Sequence, residues 1–421
     1  MVLTGIDWDM ILKKLKPDEK KVYKLVDDFL KKLNAKIKKT NLLAVAITGG
    51  SIAKGTFLKD DHDVDIFVTF DKSYKTEELS NLLESCLKGF SYERVHGSRD
   101  YFQIKEKKLI FELVPVYKIT QAHEAVNITD ASPLHAIWVK EQIAKKEKLA
   151  DSIRLAKAFC KAQELYGAES YIRGFSGHVL DILTIHYGGF ASLMKGAATW
   201  EGKKIIDINN YHKGNVLKNV NKAKLESSLI LIDPIDPYRN ASASLSDEKF
   251  YLFSQRAKEF LENPSSSFFV KKVLTLAGLK KMATELGKDF VLLFFEALSQ
   301  EGKEDVEGAK LLKVFEYMRN QYILNGFFVK ESGWKFDKKK KAFFWFIVSP
   351  KELPKTYDWE GPKIADTENV ALFMKKHAKT YEKGERIFAS VDRKYTKPKE
   401  LLSHILKEDF VKEKVKKILL K

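Results

Sequence analysis

Apolar residues open the chain at helical spacing. Leu12, Leu15, Val22, Leu25, Val26, Phe29, Leu30 and Leu33 recur over residues 8–39 with lysines between them, which predicts helix there. An apolar run, Leu42 to Ile47, then meets Thr48-Gly49-Gly50-Ser51, and a β-type run, Ile66-Phe67-Val68, follows Asp63 and Asp65. Residues 42–70 read as strand, glycine turn, short helix, loop and strand. Thr76–Leu87 reads as an amphipathic helix capped by Thr76. Three β-like runs follow, Ser91–Gly97, Tyr101–Lys105 and Leu109–Val116, and this α/β region ends near Thr129. From Leu134 to about Phe260 the pattern is mostly helical. Lys140–Tyr166, Phe175–Tyr187 and Ser246–Asn263 carry the periodicity, and residues 201–228 read as loop and helix. Two prolines make Asp233–Asn240 an ordered loop. Beyond Pro264 the elements mix. Val270–Ala277 and Asp289–Ala297 look β-like or buried, and Gly308–Gly326 looks helical. Phe327–Val329 and Ala342–Val348 suit a pair around Lys338–Lys341, while Asn369–His377 and Lys397–Lys421 read as helices.

Length and composition narrow the class. The 421 residues suit two to four domains, at about 100–200 residues each. Lys plus Arg is 74 against 57 Asp plus Glu, a net +17. That excess points to a polyanionic partner bound through phosphates with counterion release. A lysine-rich solvated surface is the alternative. The two cysteines, Cys86 and Cys160, each sit in a helix-like segment, which suits a reducing compartment and no zinc site. With no signal peptide and no apolar run of membrane-spanning length, the expectation is a soluble cytoplasmic protein that meets no membrane.

The chemistry gathers around the glycine turn. Gly49 and Gly50 allow positive φ and let backbone N–H groups approach a ligand, and Ser51 adds a hydroxyl. Asp63 and Asp65, at i and i+2 of a strand, project from one face. Glu112 interrupts Leu-Ile-Phe-Glu-Leu-Val-Pro-Val, where a charge is costly unless paired or metal-bound. A phosphate cradle facing clustered carboxylates is what a Mg²⁺–nucleoside triphosphate site requires. Glu112 suits either a third ligand or a base toward a 3′-hydroxyl. The plainer alternative is an acidic loop capping a helix, with Glu112 in a salt bridge.

Gly50-Ser51, Asp63-x-Asp65 opening a strand, and Glu112 on a later strand resemble the nucleotidyltransferase superfamily typified by DNA polymerase beta. Gly50–Thr56, Ser132–His135, Tyr171–Gly177, Asp233–Asn240 and Trp359–Pro362 resemble, more narrowly, the archaeal-type (class I) CCA-adding enzymes, or tRNA nucleotidyltransferases. The resemblance implies an α+β multidomain chain. A polymerase-beta-like head would span residues 1–133, with a mixed sheet and helices. A helical neck with the base pocket would span 134–263, and an α/β body and tail binding tRNA would span 264–421. It implies template-independent addition of C, C and A to the tRNA 3′ end from CTP and ATP, with Mg²⁺ on Asp63, Asp65 and Glu112. Gly50, Ser51 and Lys54 would meet the triphosphate. His135, Lys157 and Tyr166 would hold sugar and phosphates, and Arg239 would read the base. A homodimer is admitted too. Glu112 stands where aspartate is expected, which moves the carboxylate outward by roughly one bond length.

On residue chemistry alone these neck positions stay open. Lys157 and Tyr166 fall on one apparent helix but not on one face, and on the residues alone a surface lysine and a core tyrosine is the preferred reading. His135 suits a cap or solvent. Arg239-Asn240 has donors for a base edge or for a loop salt bridge. Two basic–aromatic segments suit RNA. One is Lys338–Lys341 among Trp334, Phe336, Phe343, Phe344 and Trp345; the other is Arg386, Arg393 and Lys394 among Tyr381 and Tyr395. A hairpin over a core is the alternative for the first. A poly(A) polymerase-like or partial (A- or CC-adding) RNA nucleotidyltransferase is the competing function, and an RNA-binding protein with an inactive head a third.

Overall fold

The computed structural model describes residues 6–59, 61, 63–271, 274–287 and 289–421. The chain divides into two compact units, Met1–Lys272 and Val273–Lys421. No helix among the described residues is long and apolar enough to cross a membrane.

The first unit begins with α1 (Trp8–Leu15) and α2 (Glu19–Lys39). The single helix expected over 8–39 is broken at Pro17, and Asp18 caps the restart by accepting from Lys21 N–H. Then come β1 (Ala44–Thr48), α3 (Gly50–Lys54), β2 (Asp63–Phe70), α4 (Leu79–Ser85), β3 (Tyr92–Val95), β4 (Tyr101–Glu106) and β5 (Leu109–Tyr117). Thr76 does not cap α4; its hydroxyl accepts from Arg99 instead. The sheet order is β1-β2-β5-β4-β3, with β2 and β5 parallel and the other pairs antiparallel. Its core face carries Val64, Ile66, Val68, Phe111 and Leu113, packed on Val26, Phe29 and Leu33 of α2. Phe29 stacks on Phe111 at 3.8 Å between ring centroids. Burying such side chains contributes roughly 1.5–3 kcal/mol each. With that face committed to the core, the intervening residues of β2 and β5 must face outward.

Helices α5 (Ser132–Lys145), α6 (Leu149–Ala162), α7 (Gly177–Tyr187) and α8 (Phe190–Ala197) follow. The helix expected over Lys140–Tyr166 breaks twice. Lys148 takes a left-handed φ of 62°. The chain also turns at Glu164 (φ 56°), where Leu165 N–H reaches back to Cys160 C=O. Tyr166 therefore lies outside α6, bridged to Phe175. The 201–228 segment contains an unexpected strand, β6 (Lys204–Asp207), then α9 (Val216–Asn219). Strand β7 (Leu229–Ile232) pairs in parallel with β6, and α10 (Asp247–Glu262) starts on a Ser246 cap. A second core of Phe159, Phe175, Phe190, Phe250, Phe253 and Phe260 unites these helices.

The second unit contains α11 (Leu276–Glu285), β8 (Val291–Ser299), α12 (Glu304–Leu324), β9 (Val329–Phe336), β10 (Lys341–Val348), β11 (Thr356–Lys363) and α13 (Thr367–Lys376). It ends with β12 (Thr380–Lys383), β13 (Arg386–Asp392), α14 (Pro398–Ile405), α15 (Asp409–Lys412) and β14 (Val415–Leu420). Two expectations fail here. Leu276 and Ala277 open a helix capped by Thr275, whereas Lys272 and Val273 of that run lie outside the described residues. The C-terminal end is not helix throughout, because Val415–Leu420 joins the edge of the sheet β14-β8-β10-β9. The β9–β10 hairpin forms around Lys338–Lys340, with Asp337 accepting from the N–H groups of Lys339, Lys340 and Lys341.

Candidate functional site

The turn and the acids meet on the outward face of the first sheet. Gly50 has φ +52°, and a Cβ there would sit 1.6 Å from Asp65 Oδ2. Gly49 N–H donates to Asp65 C=O at 2.8 Å. The glycine turn thus lies directly against the carboxylate, with Ser51 half-buried beside it. Parallel pairing of β2 and β5 puts Asp65 opposite Glu112, and β4 puts Gln103 on Glu112's other side. Asp63 stands on the same face two residues before Asp65. Burial pushes the Asp65 carboxyl above its usual range; Lys54 opposes this and Asp63 adds to it. Burial likewise pushes Glu112 up, opposed by Gln103 and reinforced by Asp65 and Asp63. Crowded, partly desolvated acids of this kind are ready for a cation.

Glu112 is braced by the neighbouring strand. Gln103 Nε2 donates to Glu112 Oε1 at 2.8 Å and leaves Oε2 for other work. Gln103→Ala is expected to slow any reaction that uses the Glu112 carboxylate about tenfold, as loss of an orienting partner does. Its melting temperature should stay that of the parent. Single-turnover rates check this, and an unchanged rate would mean Glu112 needs no brace.

Helix α6 faces the segment after α3 with three cations, and only Lys157 among them was expected. Arg154 donates to Gly55 C=O at 2.7 Å and Phe57 C=O at 3.2 Å, and also pairs with Glu19. Lys161 pairs with Asp61. Lys157 is no surface lysine: it is 3% exposed. It donates to Thr56 Oγ1 at 2.9 Å and lies 3.4 Å from Asp181. Lys54 of α3 meets the same Asp181 at 2.7 Å. Tyr166 lies close by, since a Cβ on Gly177 would come 3.0 Å from its hydroxyl and 3.9 Å from Lys157 Cε. Burial raises the Tyr166 phenol, so it stays neutral and able to donate.

A second cluster centres on Asp233, which is wholly buried. His135 Nε2 and His178 Nε2 lie 2.9 and 3.3 Å from its Oδ2, and Arg239 pairs with the same oxygen. Burial alone would raise this carboxyl, but the two histidines outweigh it and hold it well below its usual range. Burial pushes His178 down to about 4, so its neutral ring has a buried Nδ1 with no partner. The Arg239 loop is braced from outside by Asn209 and Tyr211 on Pro234 C=O, at 2.8 and 2.6 Å. Asn240 is not a base reader. Its Oδ1 accepts from Leu231 and Ser242 N–H at 3.0 Å, and its amide donates to Lys224 C=O at 2.8 Å.

Among the described residues, His135, His178 and Asp233 are the set whose ligand atoms lie within 4.8 Å of one another. Asp63, Asp65 and Glu112 do not form such a set. In the cluster around Asp233 the Arg239 guanidinium supplies a positive charge to the carboxylate. A cavity of about 400 Å³ beside α3, lined by Tyr23, Asp27, Lys54 and Lys140, contains none of the three acids.

In the second unit the aromatic residues of the hairpin divide. Phe344 is core, and Trp334 and Phe336 pack on it. Phe343 faces the other way and stacks on Phe294. Lys338, Lys339 and Lys340 are exposed. Of the other segment, Arg393 lies over Tyr357 and donates to Asn325 C=O at 3.0 Å, and Arg386 pairs with Glu360 at 3.2 Å. Lys394 remains exposed.

Sequence reasoning missed Asp181, Gln103, His178 and Arg154 as parts of the site. Asp181 alone carried a signal, a charge inside the apolar run Val179–Leu183.

Three family models match in order along the chain. They are described as a nucleotidyltransferase domain over residues 27–135, a tRNA nucleotidyltransferase second domain over 151–270, and a CCA-adding enzyme C-terminal domain over 303–419. The chain is 35% identical over 366 residues to the CCA-adding enzyme of Nanoarchaeum equitans, covering 86% of this chain and 87% of that one. It is 31% identical over 403 residues to the CCA-adding enzyme of Methanocaldococcus jannaschii, covering 92% and 87%. Among solved structures, a Cid1 poly(U) polymerase shares the fold at TM-score 0.50 and 13% identity, over 63% of this chain and 98% of that chain. With that identity and that coverage, the chain belongs to the CCA-adding enzymes, the tRNA nucleotidyltransferases of archaeal type.

Proposed function

We propose that this chain completes the 3′ end of tRNA by adding C, C and A from CTP and ATP without a nucleic-acid template. The observation that carries the reading is the gathering of Asp63, Asp65 and Glu112 on one sheet face against the Gly50 turn, with Lys54 and Lys157 near enough to act on Asp65. The three acids, all oxygen donors, suit Mg²⁺. Asp63, Asp65 and Glu112 would hold it, and it would supply polarisation of an attacking hydroxyl and charge to offset the triphosphate.

The chain's own residues do the rest. Gly50 and Ser51 present the turn to the triphosphate, and Lys54 and Lys157 neutralise it. His135 and Tyr166 hold the sugar and phosphates. Arg239, aimed by Asp233, offers guanidinium donors to the base edge. The tRNA 3′-oxygen bonds to the α-phosphorus, the α–β bridging bond breaks, and pyrophosphate leaves. Glu112 Oε2 is placed to act as third ligand or to accept the hydroxyl proton. The acceptor stem and 3′ end are the RNA parts engaged. The exposed Lys338–Lys340 turn and Lys394 supply phosphate contacts, which suits shape-based reading of every tRNA.

Incubating the enzyme with tRNA lacking its terminal CCA, together with CTP and ATP, should give C-C-A and then stop. A long A tail would instead make it a poly(A) polymerase-like enzyme. Addition of A or CC alone would make it a partial one.

A further inference from the structure

Asp181 has no part in the chemistry above, yet it is the most deeply committed charge beside the site. It lies on α7, wholly buried. Lys54 reaches it from α3 at 2.7 Å, and Lys157 reaches it from α6 at 3.4 Å. We propose that Asp181 is a positioning residue for nucleotide binding: it holds the Lys54 and Lys157 ammonium groups side by side, so that both meet the triphosphate of incoming CTP or ATP. The inference rests on reading those two lysines as triphosphate ligands.

Three observations carry it. One wholly buried carboxylate lies within ion-pair distance of two ammonium groups brought in by two other helices. Asp181 Oδ2 accepts from Lys54 while Oδ1 lies 3.4 Å from Lys157 Nζ, so its two oxygens serve one ammonium each. Each ammonium has three N–H groups. Lys54 gives one to Asp181 and Lys157 gives one to Thr56, leaving donors from both for a ligand. Stability alone does not call for such a group, because apolar packing commonly replaces a buried ion pair at no loss.

The charge of Lys157 depends on this arrangement. Burial lowers its proton affinity, and Asp181 is the chief opposing influence. The other groups facing it are Lys54, Asp61, Asp65 and Tyr166. Without the Asp181 charge, Lys157 loses its proton more readily as pH rises.

The test uses the full-length enzyme, with CTP on tRNA lacking CCA and ATP on tRNA lacking only the terminal A. Asp181→Asn is expected to raise the KM for both nucleotides about tenfold, the loss of one charged hydrogen bond. The kcat should fall by less than about threefold. Asp181→Glu, which keeps the charge, should restore KM, and tRNA affinity should stay at the parent value in each variant. An unmoved KM, or a kcat that falls as far as KM rises, overturns the proposal. If Asn fails to fold, Asp181→Ser takes its place. Failure of both to fold, with Glu inactive, would assign the carboxylate to stability and also overturn it. Lys54→Ala and Lys157→Ala separate the two readings. If neither raises KM, the triphosphate assignment fails. If they raise it and Asp181→Asn does not, only the positioning role fails.

Discussion

Replacing Asp65 by alanine is expected to lower nucleotide incorporation by about a thousandfold or more, a loss of charge where the transition state needs it. Binding of tRNA should remain within a few-fold, because the RNA contacts proposed here are basic residues elsewhere. The fold should not suffer. The backbone carbonyl of Asp65, not its side chain, anchors the glycine turn through Gly49 N–H. The carboxyl itself is a burden: burial raises its pKa, so the ionised form is disfavoured in the folded chain and costs stability above that pKa. The alanine variant should therefore melt at or above the temperature of the parent. Activity would have been obtained at the expense of stability, as strained functional sites generally are. Gel-resolved extension of tRNA, filter binding and thermal melting measure the three effects. Incorporation surviving above about one per cent of the parent rate would remove Asp65 from the reaction centre.

The second large effect belongs to Asp233→Ala. The substitution leaves Arg239 without its partner and turns two buried histidine nitrogens toward nothing. Breaking one side of a buried ion pair costs about 3 kcal/mol, less here in so far as Arg239 is partly exposed to solvent. A carboxyl held below its ordinary pKa of 3.8 adds stability that is complete above that value and is lost as the solution becomes more acid. Melting at pH 7 therefore sees the full difference. The KM for both nucleotides should rise more than kcat falls, because the chemistry at Asp63, Asp65 and Glu112 is untouched. Discrimination between CTP or ATP and other nucleotides should weaken with the freed Arg239. A variant that melts like the parent and keeps its nucleotide preference would show that Arg239 and the histidines are held by something else.

These two residues were legible to different degrees. Asp65 belongs to a local pattern: a glycine turn, a short helix and an acid pair opening a strand all lie within one stretch of chain. Period-two alternation then forces both acids to one face. Glu112 was legible because a charge inside an apolar strand has to be accounted for. Asp233 was visible only as part of a proline-punctuated loop, and its histidine partners come from α5 and α7.

The sequence by itself determined the family and the head's strand–turn–helix–strand unit, and it singled out Asp63 and Asp65 by their place in one short stretch and Glu112 as a charge inside an apolar strand. Helical periodicity also found most helices, but it ran α6 on through Tyr166 and read the final strand as helix. Local apolar spacing does not register a left-handed residue such as Glu164, or a sheet edge waiting at β8. What only the tertiary structure decided is how distant charges are paired. Parallel pairing of β2 with β5 set Asp65 against Glu112, and β4 brought Gln103 to brace it. Side chains from α3, α6 and α7 converged to hold the buried Asp181 between two lysines. Such partners are dictated by low-dielectric burial, where every charge must be matched. The match is made in space, between elements whose separation along the chain carries no trace of it.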